Sequence, residues 1–309
     1  MHCVICLDAS ADARRVCGCS ARVCRRCLVE LLDRGRDRCV ACGTRWRAPA
    51  VVNACRQALE NVDNAHDRAR RYMKLAAAYS TAGRPRKSLH MLAKAKKLHA
   101  PGTIWDHYIK LESASNFLDI GSTAKAEKCL LGIVHVIPEM TDPISTSSGV
   151  LYSRCCWLLC KVAMQYEQLA LAKSWVQRAM DIQGQLGLEW QLGESLQLDA
   201  QILRMDGKFE ESKESLAKAE RIMLRCETDE GLICSVKIDL AIAELQLGQW
   251  DSARPRLLSA LSTLRKRKRD RFSARLLPIA AAALSHTVRP TRRLRRKTWP
   301  EKVEYCLAS

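Results

Sequence analysis

The chain has 309 residues, of which 48% are hydrophobic, 27% charged and 5% aromatic, so it is long enough for about two folded domains and too apolar to be disordered. Three Phe beside abundant Ala, Leu, Arg and Lys suit helices and argue against a β-sandwich, which is usually rich in Val, Thr and aromatic residues. The formal net charge is +18, and its longest apolar run, the nine residues Leu276 to Leu284, contains Pro278 and falls short of the ~20 needed to cross a membrane.

Residues 1–47 hold eight of the sixteen cysteines. Cys3 and Cys6 sit where a secretory leader would carry its charged and apolar regions, so the expected location is intracellular, cytoplasmic or nuclear. Clustered Cys-x-x-Cys pairs in a reducing compartment point to metal ligands; in a secreted chain they would point to disulfides. The spacing is Cys3-x2-Cys6-x10-Cys17-x1-Cys19-x4-Cys24-x2-Cys27-x11-Cys39-x2-Cys42. Four pairs of soft ligands make two closed tetrahedral sites, and closed sites are structural because they leave no position for a reacting water.

This run resembles a RING finger, or its variant with a Cys-x-Cys second pair. The resemblance implies a cross-brace of two zinc ions, one held by Cys3, Cys6, Cys24 and Cys27 and the other by Cys17, Cys19, Cys39 and Cys42. It also implies a ligase that recruits a ubiquitin-conjugating enzyme charged with ubiquitin and promotes transfer without a covalent intermediate. The family's partner surface falls on Ile5, just before the second ligand, and Leu31, four positions after the sixth. The sequence departs from the family in having no His ligand, in Val40 where a Pro often follows the seventh ligand, and in Gly43 where a basic residue usually follows the eighth. Arg14, Arg15, Arg22, Arg25, Arg26 and Arg38 surround the ligands and favour their thiolate forms. A nucleic-acid patch is the rival reading, but only Trp46 supplies an aromatic side chain, so nucleic acid is not an expected partner.

Residues 48–68 form the connection to the next module. Val51, Val52, Cys55, Leu59 and Val62 recur at three- and four-residue steps, which predicts a helix over about 51–62.

From residue 69 to 264 a pattern recurs about five times. Its copies carry Tyr72, Ala76, Gly83, Ser88 and Ala95; then Ala114, Gly121, Ala126 and Leu130; then Cys160, Ala163, Ala172 and Ala179; then Ala200, Gly207, Ser212 and Ala219; then Ala241, Gly248, Ala253 and Ala260. Small residues let two helices approach, and a Gly ends the first helix of each pair in a left-handed cap. Glu167 stands where the third copy needs that Gly. The pattern resembles the tetratricopeptide repeat, although successive copies are longer than the family's ~34 residues. A loop over Thr141–Gly149 accounts for part of the excess. A generic helical bundle is the alternative fold.

The resemblance implies a mainly α chain: a helical repeat solenoid with a small N-terminal two-zinc module. First helices of such repeats line a concave surface for a protein or peptide. The inner positions counted along the pattern are Met73, Ala77, Leu111, Ser115, Trp157, Lys161, Gln197, Gln201, Ile238 and Ile242, with Trp157, Lys161 and Gln201 the candidate contacts. The other eight cysteines read as small buried apolar residues.

Residues 265–309 hold a possible capping helix, Phe272 to Leu284, and two basic blocks, Arg265 to Arg269 and Arg292 to Lys297. From Arg265 onward fourteen Lys/Arg stand against three Asp/Glu, so 14 − 3 = +11 sits in the tail, which reads as an import signal or a site for an acidic partner. No nucleotide loop, Ser–His–Asp pattern or paired-His metalloprotease motif occurs. Two functions fit: a zinc-binding RING-type ubiquitin ligase with a substrate on its repeats, and a non-catalytic interaction adaptor with a structural zinc cap.

Overall fold

A computed structural model describes residues 2–6, 13–15, 19, 21–33, 39, 41, 46, 48–59, 64–136, 146–226, 228–266 and 271–285. The chain divides into two compact units, Met1–Cys129 and Leu130–Ser309.

The first unit opens with an antiparallel pair, β1 (Arg14–Arg15) and β2 (Arg22–Val23), in which Arg14 lies opposite Val23. Helix α1 (Arg25–Asp33) follows directly. Cys3, Ala13, Val23, Cys27, Leu28 and Trp46 form a small buried cluster, so Trp46 is core and not part of a nucleic-acid face. Helix α2 (Ala48–Leu59) begins earlier than the periodicity suggested, because Pro49 sits in the first turn, where a missing N–H costs no hydrogen bond. Its Ala54 packs into the cysteine-rich cluster while its Val52 and Cys55 pack with Leu75, Ala78 and Tyr79. One helix thus has a partner on two sides, which needs apolar residues around more than one stripe.

Helix α3 (Ala65–Thr81) is capped by Asn64, whose side chain accepts from the His66 N–H at 2.9 Å. It pairs with α4 (Pro85–Lys96), and Ala76, Leu92 and Ala95 join Ile109 of α5 (Ile104–Asp119) in one core cluster. Thr103 caps α5 by accepting from the Asp106 N–H at 3.3 Å, while the Asp106 carboxylate accepts from the Gly102 N–H at 3.2 Å. The boundary between the units falls within α6 (Thr123–Val134).

The second unit contains α7 (Thr146–Gln165), α8 (Leu169–Gln185), α9 (Glu189–Met205), α10 (Phe209–Arg225), α11 (Glu230–Gln246), α12 (Trp250–Lys266) and α13 (Arg271–Ser285). Helix α7 starts at Thr146, so Thr146–Gly149 is helical and not loop, while 141–145 lie outside the described residues.

The turn inside each helix pair has one geometry. Gly83, Gly121, Gly207 and Gly248 adopt positive φ, and Glu167 does so at φ 58 in the third pair. In each turn the next N–H reaches back five residues, as from Gln168 to the Ala163 carbonyl at 2.9 Å and from Lys208 to the Leu203 carbonyl at 2.9 Å. The small residues beneath these turns, Ser88, Ala126, Ala172, Ser212 and Ala253, are at most 1% exposed. Ser212 resolves its buried hydroxyl by donating to the Ala200 carbonyl across the pair at 2.7 Å.

Helix α13 packs Leu276, Ile279, Ala280 and Ala283 against Ile238, Ile242, Leu257 and Leu261. Two positions read as open inner surface, Ile238 and Ile242, are therefore covered: α13 lies where the first helix of another repeat would lie. Leu111 is buried as well, so it lines the interior and offers nothing to a partner.

Candidate functional sites

The first site is the cysteine cluster. The Cys3 to Cys6 segment is tied to β2, with the Val4 N–H donating to the Arg22 carbonyl at 2.9 Å. This tie brings the first ligand pair beside Cys24, between β2 and α1, and Cys27, in the first turn of α1. The four sulfurs of Cys3, Cys6, Cys24 and Cys27 all lie within 4.8 Å of one another, and this group could hold one metal ion. Sγ of Cys6 is 3.9 Å from Sγ of Cys24. A tetrahedron with Zn–S bonds of about 2.3 Å has edges of about 3.8 Å, so the donor set fits zinc in both chemistry and spacing.

Two of the four thiols are shifted in opposite directions by their surroundings. Burial works against the Cys3 thiolate, but N–H groups of Cys24, Cys6 and Ile5 aimed at its sulfur outweigh burial and bring it down to about 6. The Cys24 N–H donates to Cys3 Sγ at 3.3 Å. Cys27 moves the other way: burial raises it first, and the sulfurs of Cys24, Cys6 and Cys3 add to the rise. A divalent ion at the centre of such a group would favour the thiolate form of each ligand.

Of the other four cysteines, Cys19 and Cys39 come together with their sulfurs 3.8 Å apart, the same tetrahedral edge, and Cys17 and Cys42 lie outside the described residues. Ile5 and Leu31 are half-buried, and both pack against the module's own apolar cluster. Arg38, Val40 and Gly43 lie outside the described residues.

The second site is on the first helices of the second unit. Trp157 on α7 is half-buried between two cations on its own helix, with the Arg154 guanidinium 4.2 Å and the Lys161 ammonium 4.9 Å from the ring centre. Arg154 also pairs with Glu194 of α9 at 3.0 Å. The Trp157 Nε1–H is buried with no acceptor among the described residues. Gln201 of α9 is half-buried and donates to the Asp239 carboxylate of α11 at 2.9 Å. Gln197 is buried, and its amide donates to Asp239 at 2.7 Å and to Ser235 at 2.9 Å. Asp239 is thus the hub of this face, and the sequence count of inner positions missed it together with Arg154. The i, i+3, i+7 spacing of Arg154, Trp157 and Lys161 is the signal that would have found Arg154.

The remaining cysteines divide. Cys55, Cys155, Cys156, Cys160 and Cys234 are buried, and burial pushes the thiols of Cys155, Cys156 and Cys160 up. Cys129 and Cys226 are only half-buried, and Cys226 donates to Glu189 at 3.4 Å, so these two are not core residues. Cys306, the block Arg292 to Lys297 and the rest of the tail beyond Ser285 lie outside the described residues.

No family model matches the chain, and no curated protein matches it. Solved structures do. The chain is similar to a signal-transduction ATPase with a tetratricopeptide repeat sensor from Pyrococcus horikoshii, with TM-score 0.60 and 16% identity over 77% of this chain and 35% of that one. It therefore spans about a third of that protein's length. It is also similar to the apo form of RapI, with TM-score 0.61 and 13% identity over 84% of this chain and 93% of that one. A tetratricopeptide protein of Thermus thermophilus matches with TM-score 0.50 and 17% identity, over 71% of this chain and 98% of that one. At these identities the likeness is one of fold. The chain is a tetratricopeptide-like helical repeat protein with a cysteine cluster at its N-terminus. Among the described residues no helix is long and apolar enough to cross a membrane.

Proposed function

We propose that residues 1–47 are a two-zinc RING-type module that recruits a charged ubiquitin-conjugating enzyme, that 48–68 connect it to repeats over 69–264 which hold the protein to be modified, and that 265–309 close the array and end in a basic tail. The observation that carries this reading is the interleaving of the sulfurs. Cys3 and Cys6 meet Cys24 and Cys27, while Cys19, which lies between them in sequence, meets Cys39. Alternate pairs sharing a site is the arrangement a cross-brace requires, and a pair of sequential knuckles would have put Cys19 beside Cys6.

Repeats of this fold support a role in protein interaction. On α7 and α9 the half-buried ring of Trp157 and the half-buried amide of Gln201 offer an apolar and a polar group to an extended peptide.

One observation favours the adaptor reading. Ile5 packs against the module's own cluster, so part of the side chain that would face a conjugating enzyme is already used. The deciding experiment is discharge of ubiquitin from a panel of charged conjugating enzymes by the parent chain and by Ile5→Ala, with zinc content measured on both. The ligase reading expects transfer by the parent and its loss in Ile5→Ala with zinc retained. No transfer by the parent with any enzyme leaves the adaptor.

A further inference from the structure

The ionisable side chains of helix α4 are all basic. Arg86, Lys87, His90, Lys94 and Lys97 at its C-terminal cap are all exposed, and the helix contains no Asp or Glu. At 100° per residue these five side chains fall within an arc of about 100°, and 86 to 97 spans about 16 Å. Arg84, the N-cap residue, makes no side-chain cap.

The N-terminal end of this arrangement is unfavourable for the helix. Arg84, Arg86 and Lys87 crowd the positive end of its dipole, and Lys94 and Lys97, although favourably placed at the negative end, are like charges at i, i+3. Helices α3, α5, α9, α10, α11 and α12 each place an acid in the first turn instead. Nothing in the described chain neutralises the stripe: no carboxylate pairs with Arg86, Lys87, His90, Lys94 or Lys97, and Lys94 rests over the Tyr72 ring at 5.7 Å. The imbalance extends through the repeats of the first unit. Residues 64–129 hold thirteen Lys/Arg against five Asp/Glu, 13 − 5 = +8, whereas 146–266 hold fifteen against sixteen, 15 − 16 = −1.

We propose that the outer stripe of α4 is a docking surface for an acidic protein segment, separate from the inner face of the first helices. Charge complementarity selects an acidic partner, and the stripe's length matches about three turns of an Asp/Glu-rich helix. Nucleic acid is the competing polyanion, because Arg and Lys meet phosphates as well as carboxylates. The stripe interleaves its cations with little stacking surface, since Tyr72 already lies under Lys94 and only the His90 imidazole is left, which favours an acidic protein segment.

The test uses the full chain and a fluorescent Asp/Glu-rich helical peptide of about twelve residues, read by anisotropy at low salt. Arg86→Gln/Lys87→Gln/Lys94→Gln/Lys97→Gln removes four charges from the stripe, and Arg292→Gln/Arg293→Gln/Arg295→Gln/Arg296→Gln removes four from the tail. The expected result is a loss of about tenfold or more in the α4 variant, helical signal unchanged, and a loss of less than about threefold in the tail variant. Equal losses in both variants, or none in the α4 variant, would overturn the proposal. So would displacement of the peptide by a DNA oligonucleotide of equal charge at lower concentration than by unlabelled peptide. A tetra-Gln variant that lost helical signal would be replaced by Lys87→Gln/Lys94→Gln, for which a loss of about threefold is expected.

Discussion

Cys19 Sγ lies 3.8 Å from Cys39 Sγ, twenty residues further along the chain, while Cys24 and Cys27 between them belong to a different group of sulfurs. Such crossing leaves the module with two points of closure, and metal bound at each would be folding energy. Native mass spectrometry is expected to find two zinc ions per chain. Cys24→Ser should unfold the module and release metal while most helical ellipticity survives, because the repeats have their own apolar clusters. A single ion in the parent chain would remove the cross-brace.

Glu167 takes a left-handed backbone at φ 58 in a turn where the other four helix pairs have Gly. A side chain there costs about 1 kcal/mol, since Cβ crowds the carbonyl oxygen. Glu167→Gly should therefore raise the urea midpoint by the equivalent of about 0.5–1 kcal/mol at constant slope, and Gly207→Ala should lower it by a similar amount. No atom lies within 4 Å of a Cβ built on Gly207, so its cost is one of backbone alone. An unchanged midpoint in both variants would mean that these turns relax freely.

The turn glycines and the small residues beneath them were legible in the sequence, because a left-handed cap and a close helix approach each restrict a position to very few residue types. Glu167 was legible for the same reason, from its place in the pattern. The covering of Ile238 and Ile242 was not: periodicity tells which face of α11 is apolar, but not whether a partner or α13 lies against it. The hub at Asp239 was equally hidden. Gln197 and Gln201 reach it across about forty residues of sequence, and no local spacing encodes a hydrogen bond between first helices of successive repeats. Legible in turn were the ligand spacings, whereas the packing of Ile5 against its own module depends on side chains brought in from β2 and α1.

Asp106 gives the first unit a pH dependence of known sign. Burial opposes its charge, but the Lys110 ammonium, the Gly102 N–H and the charge of Lys96 outweigh burial and hold its carboxyl below the ordinary value of 3.8. A carboxyl depressed on folding contributes stability that is present above its ordinary value and lost as pH falls through the folded one. Acid titration of the parent should show this loss below about pH 4, and Asp106→Asn should flatten that limb while costing about 1–2 kcal/mol at neutral pH. An identical acid limb in the variant would show that Asp106 does not carry it.

Arg256 of α12 holds three helices together. It donates to Glu220 of α10 at 3.0 Å and to Glu244 of α11 at 3.3 Å, and the Glu244 side chain is only 4% exposed. Deleting the cation leaves a buried carboxylate unpaired, which costs more than the pair itself contributes. Arg256→Met is expected to destabilise the second unit by about 2–4 kcal/mol, read from denaturant unfolding. Adding Glu244→Leu should recover much of that loss, because the stranded charge is gone and an apolar side chain of similar size takes its place against α12. The difference between the double variant and the sum of the singles should thus be about 1–3 kcal/mol in the direction of recovery. Additive losses would mean that Glu244 reaches water once Arg256 is removed, and that the clamp orients helices without holding them.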